Sequence, residues 1–190
     1  MKKPEIRVFA GPNGSGKSTI TTPEWILSPY INADELKRQY FLTDLEAAIM
    51  AEKQRNQCVD TLQSFTFETV LSTDRNLKLL LRAKENGFFI KGYYILTADP
   101  TLNVLRVKAR VLNGGHDVPD DKIIARYEKC LNLLPEFFNV CDICHIYDNT
   151  GDRPFRIVRK HKRDINIYPS EYWTKNEICN LVKYNVDLPN

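Results

Sequence analysis

The sequence predicts an α/β protein with a mostly parallel sheet of five strands. Short apolar runs recur along the chain, and amphipathic stretches lie between most of them, an alternation typical of this class. The expected architecture has three layers, α/β/α. Each predicted strand is rich in β-branched or aromatic residues, and the five candidates are residues 6–10, 30–32, 64–67, 88–96 and 143–147.

Helical periodicity fills the intervals between these strands. Residues 44–62 place Leu45, Ile49 and Val59 on one helical stripe, and residues 74–85 do the same with Leu77, Leu80 and Leu81. The next helix is expected to begin at Asp99, as N-cap, with Pro100 in the first turn, and to run through Val111. Further helices are predicted from Pro119 and Asp120 to about Phe138, and from Glu171 to Lys183 after Ser170.

Composition indicates an ordinary globular chain. It has 190 residues, 43% hydrophobic and 27% charged, with a net charge of +3. That charge is too small for the large basic surface of a typical nucleic-acid-binding protein. No apolar run approaches the roughly 20 residues of a membrane helix, and the first residues do not resemble a signal peptide. We therefore expect a single domain over 1–190, cytoplasmic, with reduced thiols and no membrane association.

A glycine-rich loop follows the first predicted strand. Residues 11–18 read GPNGSGKS, which matches G-x-x-x-x-G-K-[ST], the phosphate-binding P-loop. Glycines let consecutive N–H groups turn towards a phosphate chain, Lys17 reaches the β and γ phosphates, and the Ser18 hydroxyl ligates Mg²⁺. The motif predicts a P-loop NTPase fold that binds ATP and Mg²⁺. The nucleotide-binding candidates are Gly11, Pro12, Asn13, Gly14, Ser15, Gly16, Lys17, Ser18 and Thr19.

A second helical start follows soon after the P-loop. Thr22 and Pro23 have the pattern of a new helical start, so the helix after the loop is predicted to be unusually short. The second strand then ends at Asn32 and Asp34. Because parallel α/β sheets bind ligands at the carboxyl ends of their strands, both residues are expected near the γ phosphate.

The class of P-loop protein is narrowed by what the sequence lacks. It has no LSGGQ signature, no N-K-x-D guanine reader and no D-x-x-G switch. Transporter, GTPase and ring-motor functions are therefore disfavoured. A phosphotransferase remains, in which a carboxylate accepts the proton of a substrate hydroxyl while cations neutralise the transferring phosphoryl group.

An ordered set of motifs over roughly residues 5–150 resembles the zeta-toxin family of small P-loop kinases, particularly its chromosomal relatives. The set is GPNGSGKST, YINADELKR, FTFETVLS, RVKARVLNGGHDVPDDKIIARY and YDNT. The resemblance implies an ATP- and Mg²⁺-dependent kinase that phosphorylates a hydroxyl of UDP-N-acetylglucosamine. It also implies that an antitoxin protein is a possible partner.

The same resemblance implies roles for residues at the sheet edge. Asp34 would be the general base, with helix capping as the alternative. Glu68 would contact substrate hydroxyls or a magnesium water, with a solvated strand end as the alternative. Asn32 and Thr69 join the predicted substrate site. The sequence departs from the prototype toxins, which carry a glycine between the Glu and a Thr, whereas here Thr69 follows Glu68 directly.

A lid is expected over about residues 100–128. Arg106 and Arg110 are one helical turn apart and can point together at the phosphates, and Arg126 could join them from the next helix. A solvated basic helix face is the alternative. His116 is a phosphate contact or, preferably, a helix cap. After the fifth strand, Asp148 and Asn149 match the family's nucleotide-side loop or form an ordinary polar turn.

Two further signals are discounted. Cys141 and Cys144 fit a C-x-x-C-H string, but on a strand they would point to opposite faces, so we predict core packing. Residues 153–190 are predicted to form a basic extended tail followed by the closing helix. Six cations crowd residues 153–163, and a solvated strand face is favoured there over an anion-binding wall. Binding of nucleic acid is the least favoured of the three, because few aromatic residues accompany these cations.

Two alternative functions of the whole protein remain. One is a polynucleotide or RNA kinase, and the other is a nucleotide-binding switch.

Overall fold

The computed structural model describes residues 3–115 and 117–184. Within them the strands form one sheet in the order β2-β3-β1-β4-β5-β6-β7. The first five strands in that order pair in parallel, whereas β6 and β7 are antiparallel. Their bounds are β1 Glu5–Ala10, β2 Tyr30–Ile31, β3 Phe65–Thr69, β4 Phe89–Leu96, β5 Ile143–Asp148, β6 Phe155–His161 and β7 Asp164–Ile167.

The predicted sheet has five strands, whereas the described sheet has seven. The basic segment predicted as extended folds back through a turn at Lys162 and Arg163, so that His161 pairs with Asp164. Lys162 adopts a left-handed conformation there, with φ of 56°. The resulting hairpin continues the sheet beyond β5 and adds two strands that the apolar pattern does not reveal, since cations occupy many of their positions.

The helices begin close to their predicted starts. Asp99 caps Thr101 N at 2.7 Å, and the helix after the P-loop has only four residues, as predicted. The last helix is the exception, since Thr174 caps it together with Glu177, four residues beyond Ser170. The helices are α1 Lys17–Ile20, α2 Ala33–Tyr40, α3 Asp44–Asp60, α4 Arg75–Glu85, α5 Pro100–Leu112, α6 Asp120–Val140 and α7 Lys175–Val182, with a 3-10 helix over Pro23–Trp25.

Two predicted apolar stripes are partly wrong. Leu45 and Ile49 are 71% and 57% exposed, and Leu81 is 54% exposed. Helix α3 instead packs through a face that includes Ala47 and Ala51. Alanines carry little weight in a hydrophobicity pattern, yet their small side chains let α3 pack against neighbouring elements.

The two faces of the sheet are covered unequally. Helices α3, α4, α6 and α7 bury their apolar residues in one large cluster against the first face, which carries Val8, Tyr94 and Ile146. The second face carries Phe9, Tyr93 and Ile95, and in the described chain its cluster takes helical residues only from α1 and the 3-10 helix. The predicted second helical layer is therefore reduced to these two short segments.

The described helices were also compared with the requirements of a bilayer. None of those formed by residues 3–115 and 117–184 combines the length and the apolar character needed to cross a membrane.

Candidate active site

The P-loop connects β1 to α1, as the motif predicts. Three of its glycines approach neighbouring groups so closely that no side chain would fit. A Cβ on Gly11 would lie 2.0 Å from the carbonyl oxygen of Ile95 in β4. A Cβ on Gly14, whose φ is +74°, would lie 2.3 Å from the carbonyl oxygen of Asn103. A Cβ on Gly16, with φ of +88°, would lie 2.1 Å from Nδ2 of Asn149. The loop is thus packed tightly against α5 and against the turn after β5.

Asparagine side chains from these two elements hold the loop. Asn149 Nδ2 donates to Ser15 O at 2.9 Å, and Asn103 Nδ2 donates to Asn13 O at 2.9 Å. Asn103 is itself oriented by Thr97, whose hydroxyl donates to Asn103 Oδ1 at 2.5 Å. The structure places Asn149 behind the loop as a brace. Sequence reasoning missed Asn103 and Thr97, because neither a polar residue on a predicted helix nor one just after a strand carries a signal of burial.

Asp148 lies beside Asn149 and is almost fully buried, at 2% exposure. One of its carboxylate oxygens, Oδ1, accepts from Thr150 N at 3.0 Å and from the Thr150 hydroxyl. Its negative charge also acts on Arg106. Asp148 is therefore an electrostatic partner of a predicted lid arginine.

Lys17 lies where the loop meets the sheet edge. Its Nζ donates to the carbonyl oxygens of Gly11 at 2.8 Å and Pro12 at 3.1 Å. Burial lowers the pKa of Lys17, while the carboxylates of Glu68 and Asp34 act in the opposite direction. The structure thus places three predicted site residues, Lys17, Asp34 and Glu68, along one cleft.

The helix-cap role considered for Asp34 belongs to Asn32. The side chain of Asn32 caps α2, since its Oδ1 accepts from Asp34 N at 2.9 Å and from Glu35 N at 3.4 Å. The capping alternative for Asp34 is therefore wrong. Asp34 is exposed in the first turn of α2 and lines the cleft beside the P-loop.

Glu68, at the end of β3, is held by two hydroxyl groups. Tyr30 donates to its Oε1 at 2.6 Å and Thr21 donates to the same oxygen at 3.3 Å. Burial, together with this bond to Glu68, raises the pKa of Tyr30. Among the described residues Oε2 accepts no hydrogen bond. Sequence reasoning missed Tyr30 and Thr21, although both stand in the segment between the P-loop and Asp34.

Thr69 completes the end of β3. Its hydroxyl accepts from Leu71 N at 3.0 Å and from Asn76 Nδ2 at 2.8 Å, which fixes the turn after the strand. Because Thr69 also lines the cleft, the turn it stabilises forms part of the cleft wall.

The cleft between these elements has a volume of about 970 Å³. Arg106 and Arg110 of α5 line it together with Asp34 and Glu68. Arg126 lies on α6 and donates to Asn13 Oδ1 at 3.3 Å, so it contacts the P-loop. Burial lowers the pKa of Arg106, and its Nη1 is buried without a partner among the described residues. His116 lies outside the described residues.

The predicted lid has apolar contacts of its own. Val104 and Val107 of α5 form a small cluster with Val118 and Ile123, distinct from the two clusters of the sheet. This cluster joins α5 to the start of α6, and the bond from Asn103 to Asn13 O ties the same segment to the P-loop.

The donor groups fit a magnesium ion bound together with ATP. Within the described residues, no three or more His, Cys, Asp or Glu side chains gather into a metal site. Mg²⁺ keeps several waters and usually takes only one or two protein ligands besides substrate phosphates. The exposed Ser18 hydroxyl and the available Oε2 of Glu68 suit that pattern, the latter through a water.

The two cysteines of the C-x-x-C-H string and the basic tail both differ from their predictions. Cys141 precedes β5, so strand alternation does not apply to it, and the prediction that Cys141 and Cys144 point apart is wrong. Burial and contact with Cys144 raise the pKa of Cys141, and both are free, buried thiols. In the basic tail, Lys160 is buried and donates to the carbonyl of Phe138 at 2.6 Å, so a wholly solvated face is also wrong.

Comparisons with known proteins bear on this fold and cleft. No protein-family model matches the chain. An uncharacterized protein of Haemophilus influenzae is 31% identical over 125 residues, which cover 63% of this chain and 89% of that protein. A structure of the PezAT chromosomal toxin-antitoxin system of Streptococcus pneumoniae matches with a TM-score of 0.57 at 19% identity. That match covers 96% of this chain and 84% of the other.

A chain of the AvrRxo1-ORF1:AvrRxo1-ORF2 complex matches with a TM-score of 0.75 at 11% identity, over 97% of this chain. The present protein spans 65% of the length of that AvrRxo1 complex chain. A structure of the same complex with ATP matches with a TM-score of 0.66 at 11% identity, over 99% of this chain and 66% of the other.

The P-loop, the sheet order and these likenesses define a P-loop protein with the fold of the zeta-toxin-like kinases. Within that class, the chain belongs to the family of the Haemophilus influenzae protein.

Proposed function

We propose that the protein is an ATP- and Mg²⁺-dependent kinase that transfers the γ-phosphoryl group to a hydroxyl of a nucleotide sugar such as UDP-N-acetylglucosamine. The observation that carries the proposal is that Lys17 of the P-loop lines one cleft together with the carboxylates Asp34 and Glu68. A phosphate-binding lysine thereby stands next to a solvent-accessible carboxylate that is able to receive a proton.

In the proposed reaction, the acceptor hydroxyl oxygen attacks the γ phosphorus of ATP and a carboxylate oxygen of Asp34 takes the hydroxyl proton. The bond between the γ phosphorus and the β–γ bridging oxygen breaks, and ADP leaves with that oxygen. Mg²⁺, when bound, neutralises phosphate charge, with Ser18 as its protein ligand and Glu68 reaching it through a water.

The remaining cations stabilise the transferring group. Lys17 can exchange its bonds to Gly11 and Pro12 carbonyls for phosphate oxygens without leaving the loop. Arg106 and Arg110 face the same space from α5, and the buried, unpartnered Nη1 of Arg106 gains a hydrogen bond if a phosphate approaches. In such reactions catalysis is mostly positioning and electrostatic stabilisation.

An anionic acceptor is supported by further cations that line the cleft. Lys37 and Arg38 lie on α2 about one helical turn after Asp34, and both line the cleft. Lys37 Nζ is paired with Asp44 at 2.7 Å, and Arg38 is exposed. Cations from α2, in addition to those of the P-loop and α5, suit a reaction between two phosphorylated molecules, such as ATP and a nucleotide diphosphate sugar.

The proposal is tested with the wild-type protein, ATP, Mg²⁺ and a panel of nucleotide sugars that includes UDP-N-acetylglucosamine. Mass spectrometry should detect a sugar nucleotide that carries one additional phosphoryl group. Absence of any phosphorylated product across the panel would contradict the sugar-kinase proposal. ATP turnover that no acceptor stimulates, combined with a nucleotide-dependent conformational change, would instead favour a nucleotide-binding switch.

Asp34→Asn sharpens this test. We expect kcat to fall by about 10²–10⁴, because the group that accepts the proton is lost, while ATP affinity stays close to that of the wild type. Glu35→Gln removes an adjacent exposed carboxylate and is the matched control, with less than a threefold effect expected. An equal loss in the two variants would show that negative charge on α2, rather than the Asp34 base, is what the reaction needs.

We also propose an antitoxin-like protein as a partner, since two of the similar structures are described as a toxin-antitoxin system or a two-protein complex. Co-expression with the product of a small adjacent gene, followed by size-exclusion chromatography and the kinase assay, tests this proposal. A stable complex with reduced kinase activity would support it, and no complex would contradict it.

A further inference from the structure

The second face of the sheet, which among the described residues carries no long helix, collects positive charge from β4 and β6, the two strands that flank β5. Strand pairing places Tyr93 of β4 opposite His145 of β5, and His145 opposite Arg159 of β6. Lys91 precedes Tyr93 by two residues, so both side chains point to the same face, and the Lys91 Nζ lies 5.3 Å from the centre of the Tyr93 ring. Arg156 pairs with Tyr147 on this side as well.

The positive side chains of β4 and β6 surround His145 of β5. Burial and the positive charges of Arg156, Lys91 and Arg159 lower its pKa to about 4, so the imidazole is neutral at pH 7. The nearby carboxylate of Glu5 is bound to Arg7 at 2.7 Å. In the described part of the chain, no carboxylate lies within ion-pair distance of Lys91, Arg156 or Arg159.

Aromatic rings accompany these cations. The Trp25 ring stacks on Tyr93 with centroids 4.9 Å apart, and the Arg156 guanidinium lies 5.8 Å from the centre of the Tyr168 ring. Trp25, Tyr147 and Tyr168 are all partly exposed. The sequence disfavours nucleic acid because few rings stand in the basic tail itself. In the fold, Tyr147 of β5 and Trp25 of the 3-10 helix add rings to this surface, and Trp25 is distant from the tail in sequence.

We propose that this second-face patch, formed by Lys91, Arg156 and Arg159 with Trp25, Tyr147 and Tyr168, binds single-stranded RNA through its phosphates and its bases. Lys91 and Arg159 are two strands apart, and Arg156 and Arg159 are three residues apart, so each separation is roughly 10 Å. Cations spread over that distance suit a chain of phosphates better than one small anion. Mixed cations and rings on a sheet are the usual platform for unpaired bases.

The charge of the patch argues against other occupants. A second copy of the chain placed on the same face would bring like charges together, which is unfavourable. The patch lies on the face of the sheet, whereas the cleft lies at the carboxyl ends of its strands. RNA binding therefore does not depend on the proposed kinase function, and the two are tested separately.

The test is fluorescence anisotropy of a labelled single-stranded RNA of about 20 nucleotides, without ATP. Three phosphate contacts predict that log affinity falls with log salt with a slope of about −2, or about twentyfold between 50 and 200 mM salt. The triple variant Lys91→Gln, Arg156→Gln, Arg159→Gln should lose at least tenfold in affinity and most of the salt slope.

The control variant is Lys53→Gln, Lys129→Gln, Lys175→Gln. It removes the same charge from exposed positions on α3, α6 and α7, which cover the opposite face, and should stay within twofold of the wild type. Thermal unfolding of both variants checks that they fold.

Four outcomes would overturn the proposal. No binding at 50 mM salt removes it directly. Equal losses in the two triple variants would mean that net charge alone attracts RNA. Competition by ATP with Mg²⁺, or loss of binding in Lys17→Ala, would place RNA in the cleft. Tighter binding of poly-glutamate than of RNA through the same three side chains would assign the surface to an acidic polypeptide.

Discussion

The two halves of the cleft are built differently. On the nucleotide side, the P-loop is packed so closely that its glycines touch Asn103 and Asn149, and the side chains of both asparagines hold loop carbonyls. On the acceptor side, Asp34 is exposed on a helix of eight residues whose first turn is capped by Asn32.

The difference follows from the chemistry each half serves. Phosphate binding by backbone N–H groups depends on the loop having one conformation, so the surrounding elements constrain it before ATP arrives. The acceptor side presents side chains, namely Asp34, Glu68 and the cations of α2, which change from one substrate to another without altering the loop. We therefore expect substitutions to affect the two halves separately.

Gly14→Ala should have the largest effect. Its Cβ would lie 2.3 Å from a backbone oxygen of α5, and its φ of +74° disfavours any side chain. Because the loop or the helix must move, we expect ATP affinity to fall at least 100-fold, measured by calorimetry or by fluorescent-nucleotide titration.

Gly87→Ala is the matched control for this prediction. Gly87 has a similar φ of +85°, but no atom of the described residues lies within 4 Å of the position that a Cβ would take there, so only backbone strain is added. It should cost about 1 kcal/mol of stability and leave ATP affinity unchanged. If both variants bind ATP equally well, close packing of the loop is not what prepares it for phosphate.

Asn149→Ala should have an intermediate effect. It removes the donor to Ser15 O and leaves that carbonyl without its partner, at a cost of about 1–3 kcal/mol. We expect ATP affinity to fall roughly tenfold, while the KM for the acceptor changes less than threefold. Asn76→Ala, which removes a bond to Thr69 on the acceptor side, should show the reverse pattern. Parallel changes in both constants would contradict the independence of the two halves.

The sequence predicted the nucleotide side better than the acceptor side. The P-loop is a local motif, so its strand, loop and short helix follow from adjacent residues. Its braces do not, because Asn103 and Asn149 meet the loop only after β4 and β5 have been placed beside β1. Likewise, the position of Asn32 before α2 did not reveal that it, rather than Asp34, is the cap. The sequence also did not predict that long helices cover mainly one face of the sheet. Hydrophobic periodicity predicts where helices lie along the chain, but it does not predict which face of the sheet each helix covers.

Tyr30→Phe should have the smallest effect and bears on the acceptor side alone. The variant keeps the ring but loses the hydroxyl that donates to Glu68 Oε1 at 2.6 Å and accepts from Asn32 at 3.1 Å. Glu68 then keeps its bond from Thr21, so its side chain gains freedom without losing its charge. We expect a three- to tenfold loss in kcat/KM for the acceptor, about 1 kcal/mol, with unchanged ATP affinity.

Tyr40→Phe is the control, since Tyr40 is half exposed at the far end of α2. The double variant Tyr30→Phe, Glu68→Gln distinguishes positioning from a direct role of the hydroxyl. If Tyr30 acts only by orienting Glu68, its removal should cost little more once Glu68 is Gln. Full additivity of the two losses would instead mean that the Tyr30 hydroxyl contacts the substrate itself.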